Sequence, residues 1–379
     1  MITIEEISKF SDVLKLKPDW DRIVEEGNLD IFQSFDFITS LWEAWLDKKD
    51  IILLIAKDET EVLGIFPLVS NKSNIFGVLP VNTVSLLTGL IFMPNDFIIK
   101  DKISESLDAL LCHLSSSHFK YDIFEITGYY SGIRNDSRVS YWLKHSKHKK
   151  IIKRKTPHAL YINLADSWER YLQSKSNNFR WQIQRFDRYL EEKETIEVKY
   201  FSSPDEMEFA LEKIYEIQRE SWRADRDGGV LIELDAVLKK FLNIYLKKAA
   251  ATGNILATSL CINNEYAAFI LTIIDRKKCC LLATSYKEKF NEYSPGFILH
   301  KYQVKKLFEL GIKEYELGPS FWPGTPHMEW KKRWATGTKE NHWIWLYSNN
   351  HWYVSCYYYL RRLSGFVKNI MRFQEVKNK

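Results

Sequence analysis

One order of elements occurs twice in this chain, and that recurrence restricts the fold more than any single motif. In the first half, helical stretches Glu5 to Gly27 and Phe35 to Leu46 precede apolar runs Ile51 to Ala56 and Val62 to Val69, separated by the polar turn Lys57-Asp58-Glu59-Thr60. Short strands around Val84 to Leu87, a helix near Ile103 to Leu114 and a strand Tyr121 to Thr127 closed by Gly128 follow. In the second half, a helix from Leu234 to Ala250 leads to a hairpin of Ile255 to Ile262 and Ala267 to Ile274 turned by Asn263-Asn264-Glu265. A helix from Phe297 to Leu310 and a strand Lys313 to Leu317 close it, so Phe124-Glu125-Ile126-Thr127-Gly128 answers Tyr315-Glu316-Leu317-Gly318. Alternation of period two and period 3.6 in this order predicts a duplicated mixed α/β unit.

A length of 379 residues exceeds one ordinary core and fits two. The boundaries expected are 1–156, 157–347 and a C-terminal amphipathic helix over 348–379. A hydrophobic fraction of 45% with 27% charged residues excludes a disordered chain. The net charge of +5 leans toward anionic partners. Five scattered cysteines without C-x-x-C spacing, and nine histidines not grouped with carboxylates, point to a reduced cytoplasm and to chemistry without a metal. Neither a secretory leader at Met1 to Phe10 nor a run of about 18 apolar residues is expected from the pattern. Signatures of P-loop, dinucleotide, zincin and serine-hydrolase sites are absent.

Two basic stretches stand apart. Lys144 to Lys155 is either a solvated linker or a phosphate contact, and the charged helix expected from Ser167 to Glu192 sets Arg180, Gln184 and Arg188 on one face. From Leu346 the tail mixes Trp352, Tyr353, Tyr357, Tyr358 and Phe366 with Arg361, Arg362, Lys368 and Arg372. Such a helix either packs back on its own domain or lies at a lipid interface.

The stretch Ile255 to Ser320 concentrates the chemistry. Ser294-Pro295-Gly296 opens a helix that puts Phe297, Val304, Leu307 and Phe308 on one side and Lys301, Lys305 and Glu309 on another. The backbone N–H groups of Gly296 and Phe297 at its start suit a phosphate or carbonyl oxygen, and Ser294 either caps the helix or joins them. Glu316 shares a strand face with Glu314, while Tyr315 and Leu317 point to the core. Glu316 is a candidate general base or a plain strand-end acid, and His327, in a loop rich in Pro and Gly, is the second candidate base. Lys331, Lys332 and Arg333, flanked by Trp330 and Trp334, are either a phosphate-neutralising motif or a surface run. Tyr286, Glu220 and Trp222 are candidates to line an acceptor groove.

In order, Ser176-x-x-x-Arg180, Trp222, Ser294-Pro295-Gly296, Gly311 to Gly318 and Lys331-Lys332-Arg333-Trp334 resemble the Fem/CelD-like branch of the GNAT acyltransferase superfamily. The resemblance covers about Pro157 to Tyr347, with the first half similar to that family's degenerate partner domain. It implies two tandem GNAT-like domains and transfer of an acyl group from acyl-CoA, acetyl-CoA included, or of an aminoacyl group from tRNA. The implied acceptor is an amine or hydroxyl on a small molecule, a cell-surface polysaccharide or an envelope precursor. In the resemblance the short Lys331-Lys332-Arg333 motif lies near the substrate; the candidate donor contacts are Ser294, Gly296, Phe297 and Arg180, and the candidate substrate contacts are Lys331, Lys332, Trp334, Tyr286 and Trp222. The chain departs from the wider superfamily in lacking a Q/R-x-x-G-x-G/A loop, whose place Ser294-Pro295-Gly296 takes. The enzyme expected is a cytoplasmic acyltransferase, peripheral on the inner membrane face if residues 352–379 contact lipid. An aminoacyl-tRNA-dependent transferase and a non-catalytic membrane-surface scaffold are the rival readings.

Overall fold

The computed structural model describes residues 2–47, 49–59, 61–88, 96–116, 121–130, 136–146, 150–193, 195–221, 232–319, 326–348 and 351–362. It divides into two compact units, residues 1–156 with 340–379 and residues 157–339.

The first unit contains β1 (Thr3–Ile7), α1 (Phe10–Val13), α2 (Lys17–Glu26), α3 (Phe35–Trp45), β2 (Asp50–Lys57), β3 (Val62–Ile75), β4 (Leu79–Leu86), β5 (Ile98–Ile99), α4 (Ile103–Ser116), β6 (Ile123–Tyr130) and α5 (Asp136–His145). The expected helix Glu5 to Gly27 is corrected at its start. Thr3 to Ile7 alternates in burial and pairs antiparallel with β2 as a strand. Ser34 accepts a hydrogen bond from the Phe37 N–H and so begins α3. β1, β2, β3 and β4 are antiparallel in sequence, α4 crosses over, and β6 returns parallel to β4.

Within β7 (Ile151–Asn163) the chain leaves the first unit for the second. There follow α6 (Trp168–Gln173), α7 (Asn177–Lys193), β8 (Ile196–Phe201), α8 (Pro204–Arg219), α9 (Ala236–Ala251), β9 (Ile255–Ile262), β10 (Glu265–Asp275), β11 (Lys278–Tyr286), α10 (Pro295–Glu309), β12 (Glu314–Pro319), α11 (Pro326–Trp334) and β13 (Gly337–Tyr347). The single helix expected from Ser167 to Glu192 is two. Ser174 turns back to bond the Tyr171 carbonyl, and Ser176 Oγ accepts from the Phe179 N–H to start α7 afresh. The β9–β10 turn holds Asn263 and Asn264 at φ 51° and 64°, the left-handed pair that a two-residue hairpin requires. A third strand, β11, extends this hairpin, and its apolar run Cys279 to Ala283 escaped the sequence reading.

The sheet of the second unit runs β8–β9–β10–β11–β12–β7, antiparallel except for the β11–β12 pair. The first unit runs β1–β2–β3–β4–β6–β13, antiparallel except for β4–β6. Each is thus four antiparallel strands, a helical crossover, one parallel strand and one antiparallel closing strand. The expected tandem α/β architecture is what the structure has. After β13, a helix over 352–362, here α12, packs Val354 and Tyr358 into a cluster with Ile75, Val81, Trp345 and Tyr347 of the first unit. Among the described residues no helix is long and apolar enough to cross a membrane.

Candidate functional site

Among the described residues the second unit has one parallel pair, and it does not stay paired. β11 and β12 match across Lys278/Glu314, Cys279/Tyr315 and Cys280/Glu316, and no further. Beyond that point β11 remains with β10 as far as Tyr286, opposite Ala268, while β12 follows β7 through Gly318/Leu160 and Pro319/Ala159. Bulges sit on both sides of the divergence. One falls between Glu316 and Gly318, where Gly318 takes φ +77°, and the other is opposite Leu271 and Thr272. A bulge adds a residue and local twist, which turns two strands away from each other. The result is a gap that opens through the sheet, bordered by strand edges whose backbone groups have no ladder partner across it.

One end of α10 meets this gap. Residues at its interior, Ile298, Leu299, Val304 and Leu307, pack on Tyr315, Leu317, Cys279 and Leu281. Gln303 pins the helix to the sheet, its side chain accepting from Thr258 Oγ1 at 2.5 Å and donating to Thr272 Oγ1 at 3.1 Å. Ser294 sits at φ 50° and makes no capping side-chain bond, so the expected cap role is not what it performs. The expectation of two available N–H groups is also corrected. Phe297 N–H already donates to the Ser294 carbonyl at 2.9 Å, and Pro295 has none to offer, which leaves Gly296 N–H without an acceptor among the described residues. Tyr286, at the end of β11, lies against Gly296. A Cβ there would meet the tyrosine ring at 3.5 Å, and the ring is held by its hydroxyl at 3.0 Å from Asn291 Oδ1.

The same corner is fastened by Lys287. This side chain is 1% exposed and donates to Glu216, Glu220 and Glu265 at 2.8, 2.9 and 2.8 Å. Burial opposes its charge, but three carboxylates hold its pKa above the lysine range. The three acids lie close enough together to suit a cation, and the ammonium stands among them. Glu220, a candidate for the acceptor groove, is thus a member of this staple.

Glu316 is on the other face of the sheet from α10, because Tyr315 and Leu317 are buried under that helix and strand residues alternate. It is 8% exposed, and Lys339 Nζ lies 3.4 Å from its Oε2 and 2.7 Å from Glu314 Oε1. Burial lowers the Lys339 pKa less than Glu316 and Glu314 raise it, so Lys339 is a firm cation.

The remaining expected residues separate. Lys331 Nζ is 3.9 Å from the position a Gly318 Cβ would take, at the end of β12. Lys332 is a surface residue paired with Glu329 at 2.8 Å. Trp334 is corrected to a core residue. It is 0% exposed, packed with Phe179, Phe297 and Tyr171 at ring separations of 5.0, 5.2 and 6.4 Å, and cannot touch a substrate directly. The Phe297 side chain is part of that stack, with Arg333 over its ring at 5.3 Å. Arg180 bonds the side chain of Asn177 in the first turn of α7. His327 lies on α11, not in a loop, and its side chain is outside the described residues, as is the whole of Trp222 and of the loop 321–325.

Sequence reasoning missed His300. It is 2% exposed on α10, tilted against Trp330 at a ring separation of 4.4 Å, and neither ring nitrogen has a hydrogen-bond partner among the described residues. Burial, with a contribution from the Lys331 charge, pushes its pKa down to about 3, so the ring is neutral. A lone histidine between Leu299 and Lys301 carries no signal in sequence. Lys301, placed on the polar side by its spacing, is likewise 7% exposed.

Comparison with known proteins agrees with this architecture. Residues 177–332 match the family model described as an acetyltransferase (GNAT) domain. A search of curated proteins found no match. Among solved structures, FemX is similar with a TM-score of 0.57 at 14% identity, over 90% of this chain and 96% of that one. L-PGS from Bacillus licheniformis reaches 0.54 at 13%, over 91% and 96%. A tandem GNAT protein from the clavulanic acid biosynthesis pathway reaches 0.51 at 9%, over 91% and 98%. Residues 177–332 are thus similar to the acetyltransferase (GNAT) domain model, and the chain's fold is like that of FemX and of a tandem GNAT protein.

Proposed function

We propose that the second unit transfers an acyl group from acyl-CoA, or from an acyl carrier, to an amine or hydroxyl of a cell-surface polysaccharide or envelope precursor in the cytoplasm, as a Fem/CelD-like enzyme. The observation that carries this reading is the gap between β11 and β12. Donor phosphates and the thioester carbonyl want N–H donors and positive charge, which the Gly296 N–H and the Lys331 ammonium would bring to its rim. The acceptor nitrogen or oxygen attacks the thioester carbon, Glu316 takes the proton the acceptor loses, and the C–S bond breaks to expel the thiolate, which regains that proton to leave as the thiol. Lys339 positions the carboxylate, and Tyr286 closes the donor side. In this reading transfer is direct and calls on no cysteine; the Cys279 thiol, on the α10 side of the sheet, is pushed by burial well above its ordinary pKa.

A specific feature favours the tRNA-dependent alternative. Trp181 on α7 is 49% exposed with the Arg185 guanidinium 5.1 Å over its ring, a surface on which a nucleic-acid base can stack. Thermal denaturation with acetyl-CoA, longer acyl-CoAs and aminoacyl-tRNA separates the readings. A donor at a hundred times its Kd raises the midpoint by about 5 °C or more. A shift with aminoacyl-tRNA alone would transfer the proposal to that donor. No shift with any of them would leave the scaffold.

A further inference from the structure

Between α6 and α7 the chain places a lysine where no acid meets it. Lys175 Nζ donates to the Trp334 and Ala335 carbonyls at 2.7 and 2.6 Å, at the end of α11, and the Trp334 carbonyl also accepts from the Tyr171 hydroxyl at 2.7 Å. Among the described residues the nitrogen has no other hydrogen-bond acceptor and no carboxylate partner. The rings of Tyr171 and Phe179, 5.0 and 5.8 Å away, cover it and are weaker partners for a charge than a carboxylate. Two acceptors match the two N–H groups of a neutral amine, whereas an ammonium carries a third that these carbonyls leave unbonded. Burial brings the pKa down to about 8, so at pH 8 the amine is about half neutral, where an ordinary lysine is neutral to less than about 1%.

The nitrogen also has open space beside it. Lys175 lines a cavity of about 380 Å³, with Asn163, Phe308 and Thr336 among its walls. That volume lies in the range of small-ligand sites. The other titratable groups on its walls are Asp166 and Arg170, paired with each other at 3.4 Å, and Tyr171, which burial keeps protonated. Asn163 pairs with Glu314, the first residue of β12, while the gap between β11 and β12 opens past Glu316. The cavity is therefore at the opposite end of β12 from the gap.

We propose that Lys175 is a modification site, at which a short-chain acyl thioester enters this cavity and acylates Nζ, and that the modification unfastens the end of α11. The amine attacks the thioester carbon, the C–S bond breaks, and the thiolate takes up the proton that the nitrogen sheds, leaving an amide. An amide nitrogen keeps one N–H, so one of the two carbonyls loses its partner. This chemistry is separate from the gap and stands whether or not the second unit acylates an acceptor.

S-Acetyl-N-acetylcysteamine, a thioester without a nucleotide, tests the proposal on the full chain independently of any site for acyl-CoA. The neutral fraction favours Lys175 over an ordinary lysine about a hundredfold, and its lower basicity returns part of that. Peptide mass spectrometry is expected to find Lys175 acetylated about tenfold or more faster than the exposed Lys72 and Lys247 at pH 8, its rate levelling off above that pH while theirs keeps climbing. The acetylated protein is expected to melt about 2 to 4 °C below the untreated one. Lys175→Arg, which keeps N–H donors for both carbonyls, is expected to show no fast site and an unchanged melting temperature after the same treatment. Labelling of Lys175 no faster than that of Lys72 and Lys247 would overturn the proposal and leave the residue a plain cap on α11. Fast labelling with no fall in melting temperature relative to the treated Arg variant would overturn the unfastening.

Discussion

At the scale of single residues, two glutamates hold equivalent places and live differently. Glu125 is the third residue of the β4–β6 parallel register, as Glu316 is of β11–β12. Each takes its partner from β13, Glu125 from Trp345 Nε1–H at 2.6 Å and Glu316 from Lys339 at 3.4 Å. Glu316→Gln is expected to lower kcat by about 10²- to 10⁴-fold with little change in melting temperature, as measured by steady-state acyl transfer beside thermal denaturation. An unchanged rate would remove Glu316 as the base. For Glu125, burial pushes the pKa up against the pull of Trp345 and Arg361. A raised carboxyl pKa means that the folded unit binds the proton more tightly, so this group's contribution to stability falls as pH rises from the unfolded value through the folded one. Glu125→Gln, which keeps the bond to Trp345, is therefore expected to melt higher than the parent by about 2 °C at pH 7, with the gap closing toward pH 4. Melting curves of both proteins across that range check the sign.

Between elements, the Lys287 staple fixes where β11 ends and α10 begins, joining α8, β10 and the approach to α10 through one ammonium. Lys287→Met leaves three carboxylates facing each other without the cation. Those acids are one-third to one-half exposed and regain some hydration, so the loss is expected near the low end for a broken buried pair, about 3 kcal/mol, read by urea denaturation. If Tyr286 and Gly296 depend on the staple, donor affinity falls in the same variant under conditions where it remains folded.

For the molecule as a whole, chain continuity differs between the two units. Residues 157–339 contain every strand from β8 to β12 and the β7 segment that pairs with β12. The first unit needs β13, which arrives only after the second is complete and pairs Asn341 to Tyr347 along β6. A fragment of residues 157–339 is expected to fold cooperatively on its own. Residues 1–156 alone, stripped of β13 and of the Trp345 partner to Glu125, are expected not to. Calorimetry on the two fragments decides it, and a cooperative transition in 1–156 would show that β13 is dispensable.

What the sequence determined by itself is the part of the fold written in short-range patterns. Two periods of hydrophobicity, the Asn263-Asn264 turn and the answering strands at Glu125 and Glu316 were enough for a tandem α/β chain and for the outward face of Glu316, because helices, strands and two-residue turns depend on neighbours within a few positions. Serine clusters that split α6 from α7 were readable and were passed over. Only the tertiary structure decided the rest. The gap between β11 and β12 comes from bulges relative to β10 and β7, strands distant in sequence. The burial of His300 and Trp334 comes from α10 and α11 closing on one face of the sheet, the ion pair of Glu316 with Lys339 forms on the other, and no local pattern encodes which long-range partner a charged or aromatic side chain will meet.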